Sequence, residues 1–150
     1  MAPFYQMNNL IQPAGILLDA TASSREEAVA LCGKLLVQLG AASEEYAAAM
    51  WERELIFSSY VGREVAIPHG TDESRRFVAS TQIVMVRLSK ALDWDGEEVK
   101  LCFGIAANGD QHGGILANLA DILLDDARYA LLLEESNKEK LIEILNTESE

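Results

Sequence analysis

The sequence is short of histidine: its 150 residues include only His69 and His112. It is also short of cysteine, with two, and of proline, with three. No apolar run approaches the roughly 18 residues that a membrane span requires. Met1 to Gln12 has neither the basic start nor the continuous apolar stretch of a signal peptide. A cytoplasmic location is therefore expected. Neither cysteine belongs to a C-x-x-C pair. Cys32 falls in a helical apolar pattern and Cys102 in a strand-like one, so both read as small buried side chains. A disulfide or a catalytic thiol is the alternative. Bases are half as numerous as acids, 12 against 24, for a net charge of −12. Such a surface repels nucleic acid and anionic membranes and favours a partner with a basic docking face. There is no G-x-S-x-G, Walker loop or G-x-G-x-x-G, and Gly109, Gly113 and Gly114 are too irregular for a nucleotide fingerprint.

Apolar residues are plentiful, at 49%, enough for one domain over residues 1–150 to bury a core. "GILLDA" (Gly15 to Ala20) reads as a first strand. In "SSREEAVALCGKLLVQLG", Ser23 and Glu26 have capping-box spacing. Ala28, Leu31, Cys32, Leu35, Leu36 and Leu39 then line one helical face, stopped by Gly40. "SEEYAAAMWERELIF" predicts a second helix with Ser43 as N-cap and two acids in its first turn. One phase of its broad apolar face runs Tyr46, Met50, Phe57 and carries Arg53, a charge that wants an anion or carboxylate partner. "EVAIPHG" is strand-like up to Pro68. "STQIVMVRL" (Ser80 to Leu88) and "VKLCFGIAA" (Val99 to Ala107) read as strands buried on both faces, joined through a turn at Asp95-Gly96. "ILANLADILL" predicts a helix, followed by short helices near Ala127 to Leu133 and Lys138 to Leu145. Helices do not alternate one-for-one with strands, so the pattern predicts an α/β sandwich around one mixed sheet.

Both histidines fall where strands end. His69 follows Pro68 in "GREVAIPHGTDES". His112 lies between a buried strand and a helix, where free backbone N–H groups favour anions. If the two strands are neighbours, both imidazoles meet at one spot, and Arg53 makes it a site suited to a phosphoryl group. An imidazole nitrogen is a nucleophile at neutral pH, and an arginine forks phosphate oxygens. Each residue also has a plainer reading: a turn residue for His69, a helix-start residue for His112, a surface arginine paired with Glu45 or Glu52 for Arg53. A metal site of His69, His112 and Asp72 or Asp110 is a further alternative that no recognised ligand spacing supports.

"YVGREVAIPHGTDES", with "AAMWEREL" upstream and "FGIAANGDQHGGILANLADIL" downstream, resembles enzyme IIA of the bacterial phosphoenolpyruvate-dependent sugar phosphotransferase system, of the mannitol/fructose type. The resemblance covers about Ile16 to Leu145. It implies a five-stranded mixed sheet flanked by helices, and no metal or organic cofactor. It implies that His69 takes a phosphoryl group from the phosphohistidine of HPr and passes it to a cysteine of a cognate IIB component, which serves the membrane component IIC. It implies that His112 and Arg53 stabilise the phosphate. Pro68 would stiffen the loop and Gly70 would let a partner come close. Asp72, Glu73 or a backbone carbonyl would set the tautomer of His69. Members of the mannitol branch often have Gly-Glu where this chain has Gly62-Arg63, so Arg63 is expected to alter the field around a phosphohistidine. Two other roles fit the same residues: a regulatory module of the nitrogen-related type, and a metal-dependent hydrolase.

Overall fold

The computed structural model describes residues 10–108 and 111–146. Along the chain these form β1 (Ile16–Ala20), α1 (Arg25–Gln38), α2 (Glu44–Ile56), β2 (Tyr60–Gly62), β3 (Val65–Ala66), β4 (Gln82–Trp94), β5 (Glu97–Ala106), α3 (Gln111–Leu124), α4 (Asp126–Glu134) and α5 (Lys138–Asn146). The strands make one sheet in the order β1-β4-β5-β3-β2. β1 runs parallel to β4 and β3 parallel to β5, while β4–β5 and β2–β3 are antiparallel. The expected mixed five-stranded sandwich is thus the observed fold.

Alternation along the central strands divides the core. Ile83, Met85, Leu101, Phe103 and Ile105 meet α3, α4 and α5. Val84, Val86, Cys102 and Ala106 meet α1 and α2. On the second face Gly104 lets α1 sit close. A Cβ at Gly104 would lie 2.7 Å from Cys32 Cβ and 2.8 Å from Val84 Cγ2. At Gly33 a Cβ would lie 2.8 Å from Ala47 Cβ, so α1 and α2 also cross in near contact. Both cysteines are fully buried free thiols. A hydrogen bond with Cys32, then burial, push the Cys102 thiol well up, the opposite of what a catalytic thiol needs.

Several boundaries differ from the expected ones. The cap of α1 is Ser24, whose hydroxyl accepts from Glu27 N at 3.1 Å, while Ser23 Oγ donates to the Glu27 carboxylate. "SSREE" offers the capping spacing twice, and spacing alone cannot choose. The strand ending at Leu88 by pattern continues to Trp94, because its exposed middle, Ser89 to Ala91, loses the apolar signal before the chain reaches the buried Trp94. Asp95 (φ 55) and Gly96 (φ 96) form the expected turn, in the left-handed conformations that a two-residue hairpin needs. β2 has only three residues and no periodicity to read. Arg63 and Glu64 turn it back into β3 with φ of 54 and 64. Phe57 leaves the inner stripe of α2 and is 70% exposed, while Tyr46 and Met50 are buried as expected.

Candidate functional site

The parallel pairing of β3 with β5 builds the site. Ile105 N donates to Pro68 O at 3.0 Å, and His69 bridges Ile105 in parallel register. The strands therefore end side by side. The segment after β3 carries His69, and the helix after β5 carries His112 as its second residue. Their ring centroids lie 4.6 Å apart. This is the carboxyl end of neighbouring strands, where open α/β sheets bind ligands. Thr81 ties Asn108 to the start of α3: its hydroxyl accepts from Asn108 N at 3.0 Å and bonds the Gln111 side chain.

Tyr46, two turns before Arg53 on α2, clips both segments together. Its hydroxyl donates to Ile105 O at 2.6 Å and accepts from Gly70 N at 2.9 Å. That explains Gly70. A Cβ there would collide with Ser74 Oγ and lie 2.6 Å from Tyr46 Cε1, so glycine permits the close approach of both side chains. His69 Nδ1 lies 2.7 Å from Ile67 O. A carbonyl only accepts, so Nδ1 carries the proton and Nε2 keeps its lone pair. The tautomer is thus set by a backbone carbonyl two residues back; neither Asp72 nor Glu73 is needed.

His69, His112 and Arg53 line one open cavity of about 460 Å³, together with Tyr46, Ile56, Thr71, Asp72 and Arg75. Arg53 Nη1 donates to Phe57 O, at the C-terminal end of its own helix, at 2.6 Å. Its expected anion or carboxylate partner is here a carbonyl. Arg75, on a 3-10 turn Glu73–Phe77, pairs with Asp72 at 3.2 Å. Sequence reasoning passed over Arg75; two adjacent arginines six residues past His69, in so acidic a chain, were the available signal. Arg63 stands elsewhere. Its Nη1 donates to Leu123 O at 2.7 Å and pairs with Asp126 at 3.0 Å, and its guanidinium stacks on Tyr129. It staples the β2–β3 turn to the α3–α4 junction, and it is absent from the charges that shift either histidine. The expected effect of Arg63 on the site's field is therefore not what this geometry provides. Among the described residues no group of three or more His, Cys, Asp and Glu is placed to hold a metal, and Asp110 lies outside them.

Burial, the neighbouring His69 and the charge of Arg75 push the His112 pKa down to about 4. Burial also lowers that of His69, against the bond to Ile67, and Arg53 adds to the lowering. Both rings are neutral at pH 7. His112 Nε2 is buried and has no hydrogen-bond partner among the described residues. Because the folded His112 pKa lies below the ordinary 6.5, the unfolded chain binds that proton more readily. The resulting stability is complete above about pH 6.5 and is lost as pH falls towards 4. Thermal melts should therefore show a midpoint that drops from pH 7 to pH 5, and drops less in His112→Gln. Equal drops in the two proteins would remove His112 from this role.

No helix among the described residues is long and apolar enough to cross a membrane. The mannitol-specific phosphotransferase enzyme IIA component of Bacillus subtilis (strain 168) is 36% identical over 132 residues, 87% of this chain and 92% of that protein. The crystal structure of IIA mannitol from Escherichia coli superposes with a TM-score of 0.81 at 30% identity, covering 89% of this chain and 97% of that one. The E. coli complex of enzyme IIAMTL and phosphorylated enzyme IIBMTL gives 0.82 at 28% identity, covering 91% and 98%. The family model for EIIA 2 of the phosphoenolpyruvate-dependent sugar phosphotransferase system matches residues 9–148, nearly the whole chain, and the protein belongs to that family.

Proposed function

We propose that this chain is the phosphocarrier of a mannitol-type sugar uptake system and that His69 Nε2 carries the phosphoryl group. The observation that carries the reading is the 2.7 Å contact of His69 Nδ1 with Ile67 O. It holds the ring in one tautomer, leaves Nε2 as the nucleophile, and offsets the positive charge that grows on the imidazole as phosphorus bonds to it. In the first step the Nε2 lone pair forms a bond to phosphorus while the P–N bond of the HPr phosphohistidine breaks. In the second, a cysteine sulfur of the cognate IIB component takes the phosphorus and His69 returns to neutral imidazole. His112 and Arg53 donate to the equatorial oxygens, the electrostatic work that phosphoryl transfer asks of a protein. Support for the mannitol branch comes from the names of the Bacillus and Escherichia relatives. Support for a IIB acceptor comes from the Escherichia complex. The net charge of −12 suits donors with basic docking faces.

Incubation with phosphoenolpyruvate, enzyme I and HPr, followed by intact-mass and imidazole NMR measurements, tests this reading. One phosphoryl group per chain, on Nε2 of His69, is expected. Phosphate on Nδ1, or on His112, overturns it.

A further inference from the structure

We propose that Arg75 is a phosphate-contacting cation of this site alongside Arg53, held by Asp72 while the site is empty and released to the phosphoryl oxygens when His69 is loaded. The inference rests on the reading of His69 as the phosphoryl acceptor.

The backbone that carries Arg75 is fixed relative to His69. Ser74 is 3% exposed. Its hydroxyl donates to Thr71 O at 2.7 Å and its N–H bonds Thr71 Oγ1 at 3.2 Å. Val78 N donates to Arg75 O at 3.0 Å, closing the turn. Gly70, between His69 and Thr71, is locked by Tyr46. The turn therefore holds Arg75 at the cavity that Arg53 also lines.

The guanidinium itself is lightly held. Its Asp72 partner is 93% exposed on the side chain and Arg75 is 43% exposed, so the pair is weak and exchangeable. One ion pair leaves most of the five guanidinium donors for other acceptors. The charge of Arg75 already reaches both rings, lowering the pKa of His69 and of His112, while Asp72 acts on His112 in the opposite direction. A phosphoryl dianion on His69 Nε2 would sit among the same groups and compete with one exposed carboxylate for a fork whose geometry it fits. Asp72 then has a purpose of its own. A carrier must release its cargo, and an arginine bound too firmly to the phosphoryl group would hold back the second transfer. Asp72 sets that grip by offering Arg75 an alternative anion.

A double-mutant cycle separates these roles. Wild-type protein is first loaded from HPr. If it takes no phosphoryl group, the functional reading and this inference fall together. Given loading, Arg75→Ala should slow acceptance about tenfold or more, the scale of one hydrogen bond to a charged group, and Arg75→Lys should recover part of the rate. Asp72→Asn should shift the equilibrium partition of phosphoryl between HPr and this chain towards this chain by about three- to tenfold. That shift should vanish when Arg75 is also alanine. Wild-type rates in Arg75→Ala with normal loading sink the inference alone. So does an Asp72→Asn shift that survives undiminished in the double variant, because the carboxylate would then act on the phosphate directly. Amide NMR spectra report whether each variant keeps the fold.

Discussion

If His69 is the phosphoryl acceptor as proposed, replacing it by glutamine should slow acceptance from HPr by at least about 10³-fold, roughly 4 kcal/mol of barrier. Glutamine is polar and of similar reach, but its amide nitrogen has no free lone pair to attack phosphorus. The other ring in the cavity offers no replacement through Nε2. His112 stands 4.6 Å away, but its Nε2 is buried from solvent. An in-line displacement needs an open line from nucleophile to phosphorus, and only His69 stands with one nitrogen anchored to Ile67 and the other left free. The Gly70–Tyr46 clip and the pairing of Pro68 with Ile105 do not involve the imidazole, so the fold should survive. The check is intact-mass spectrometry after exposure to phospho-HPr, with thermal melts as control. A His69→Gln protein that still acquires one phosphoryl group at a measurable rate would falsify the assignment.

Replacing Glu54 by alanine should cost about 3–5 kcal/mol of stability, the usual range for removing one partner from a buried charged cluster. Glu54 is 2% exposed. Its carboxylate accepts from Ser59 N at 2.9 Å, from Ser59 Oγ at 2.5 Å and from Trp94 Nε1 at 2.9 Å, with Arg25 Nη1 at 3.9 Å. These bonds join the end of α2, the start of β2, the end of β4 and the start of α1. Alanine leaves the donors of Ser59 and Trp94 buried without an acceptor and opens a cavity beside a fully buried tryptophan. At this chain length the melting temperature should fall by about 10 °C. Glu54→Gln separates shape from charge. Its carbonyl oxygen can keep the bonds to Ser59 N and Trp94 Nε1, while the Ser59 hydroxyl turns to accept from the new amide. Most of the stability should return. The negative charge that opposes the lowering of the His69 pKa disappears, so NMR titration should find His69 lower still. Equal losses in the two variants would mean that the charge, not the hydrogen-bond pattern, holds this corner.

Glu54 also marks the limit of reading this chain as a string. It stands beside Arg53 in a run of charged residues on a helix with a broad apolar face, and no spacing rule separates the buried acid from its exposed neighbour Glu52. Its burial is decided by Trp94, forty residues away, through a hairpin whose far end left no periodic trace. The phase of α2 failed at Phe57 for a related reason. The helix ends at Ile56, so a stripe drawn through Phe57 runs off the element. The place of Arg63 is not legible in the sequence because a turn residue's direction depends on backbone dihedrals: the left-handed pair Arg63-Glu64 sends the guanidinium towards α4.

Much else needed no tertiary knowledge. Runs of β-branched and apolar residues around Val84 and Phe103 are long enough to identify buried central strands. The Asp95-Gly96 turn follows from the few residues that accept positive φ. The two helices after β1, and the three after β5, are legible from their apolar spacing. The scarcity of histidine made His69 and His112 the natural candidates. What the string could not supply was their meeting. It depends on β3 lying parallel and adjacent to β5, a pairing of segments more than thirty residues apart that local propensity does not encode. It depends equally on Tyr46 bridging Gly70 to Ile105, which fixes the spacing of both loops. Local pattern determined the elements because backbone geometry and burial repeat along each one. The tertiary structure alone decided the tautomer of His69, the partner of Arg53, and the presence of Arg75 in the cavity, because each rests on a hydrogen bond or a packing contact whose geometry only the folded chain defines.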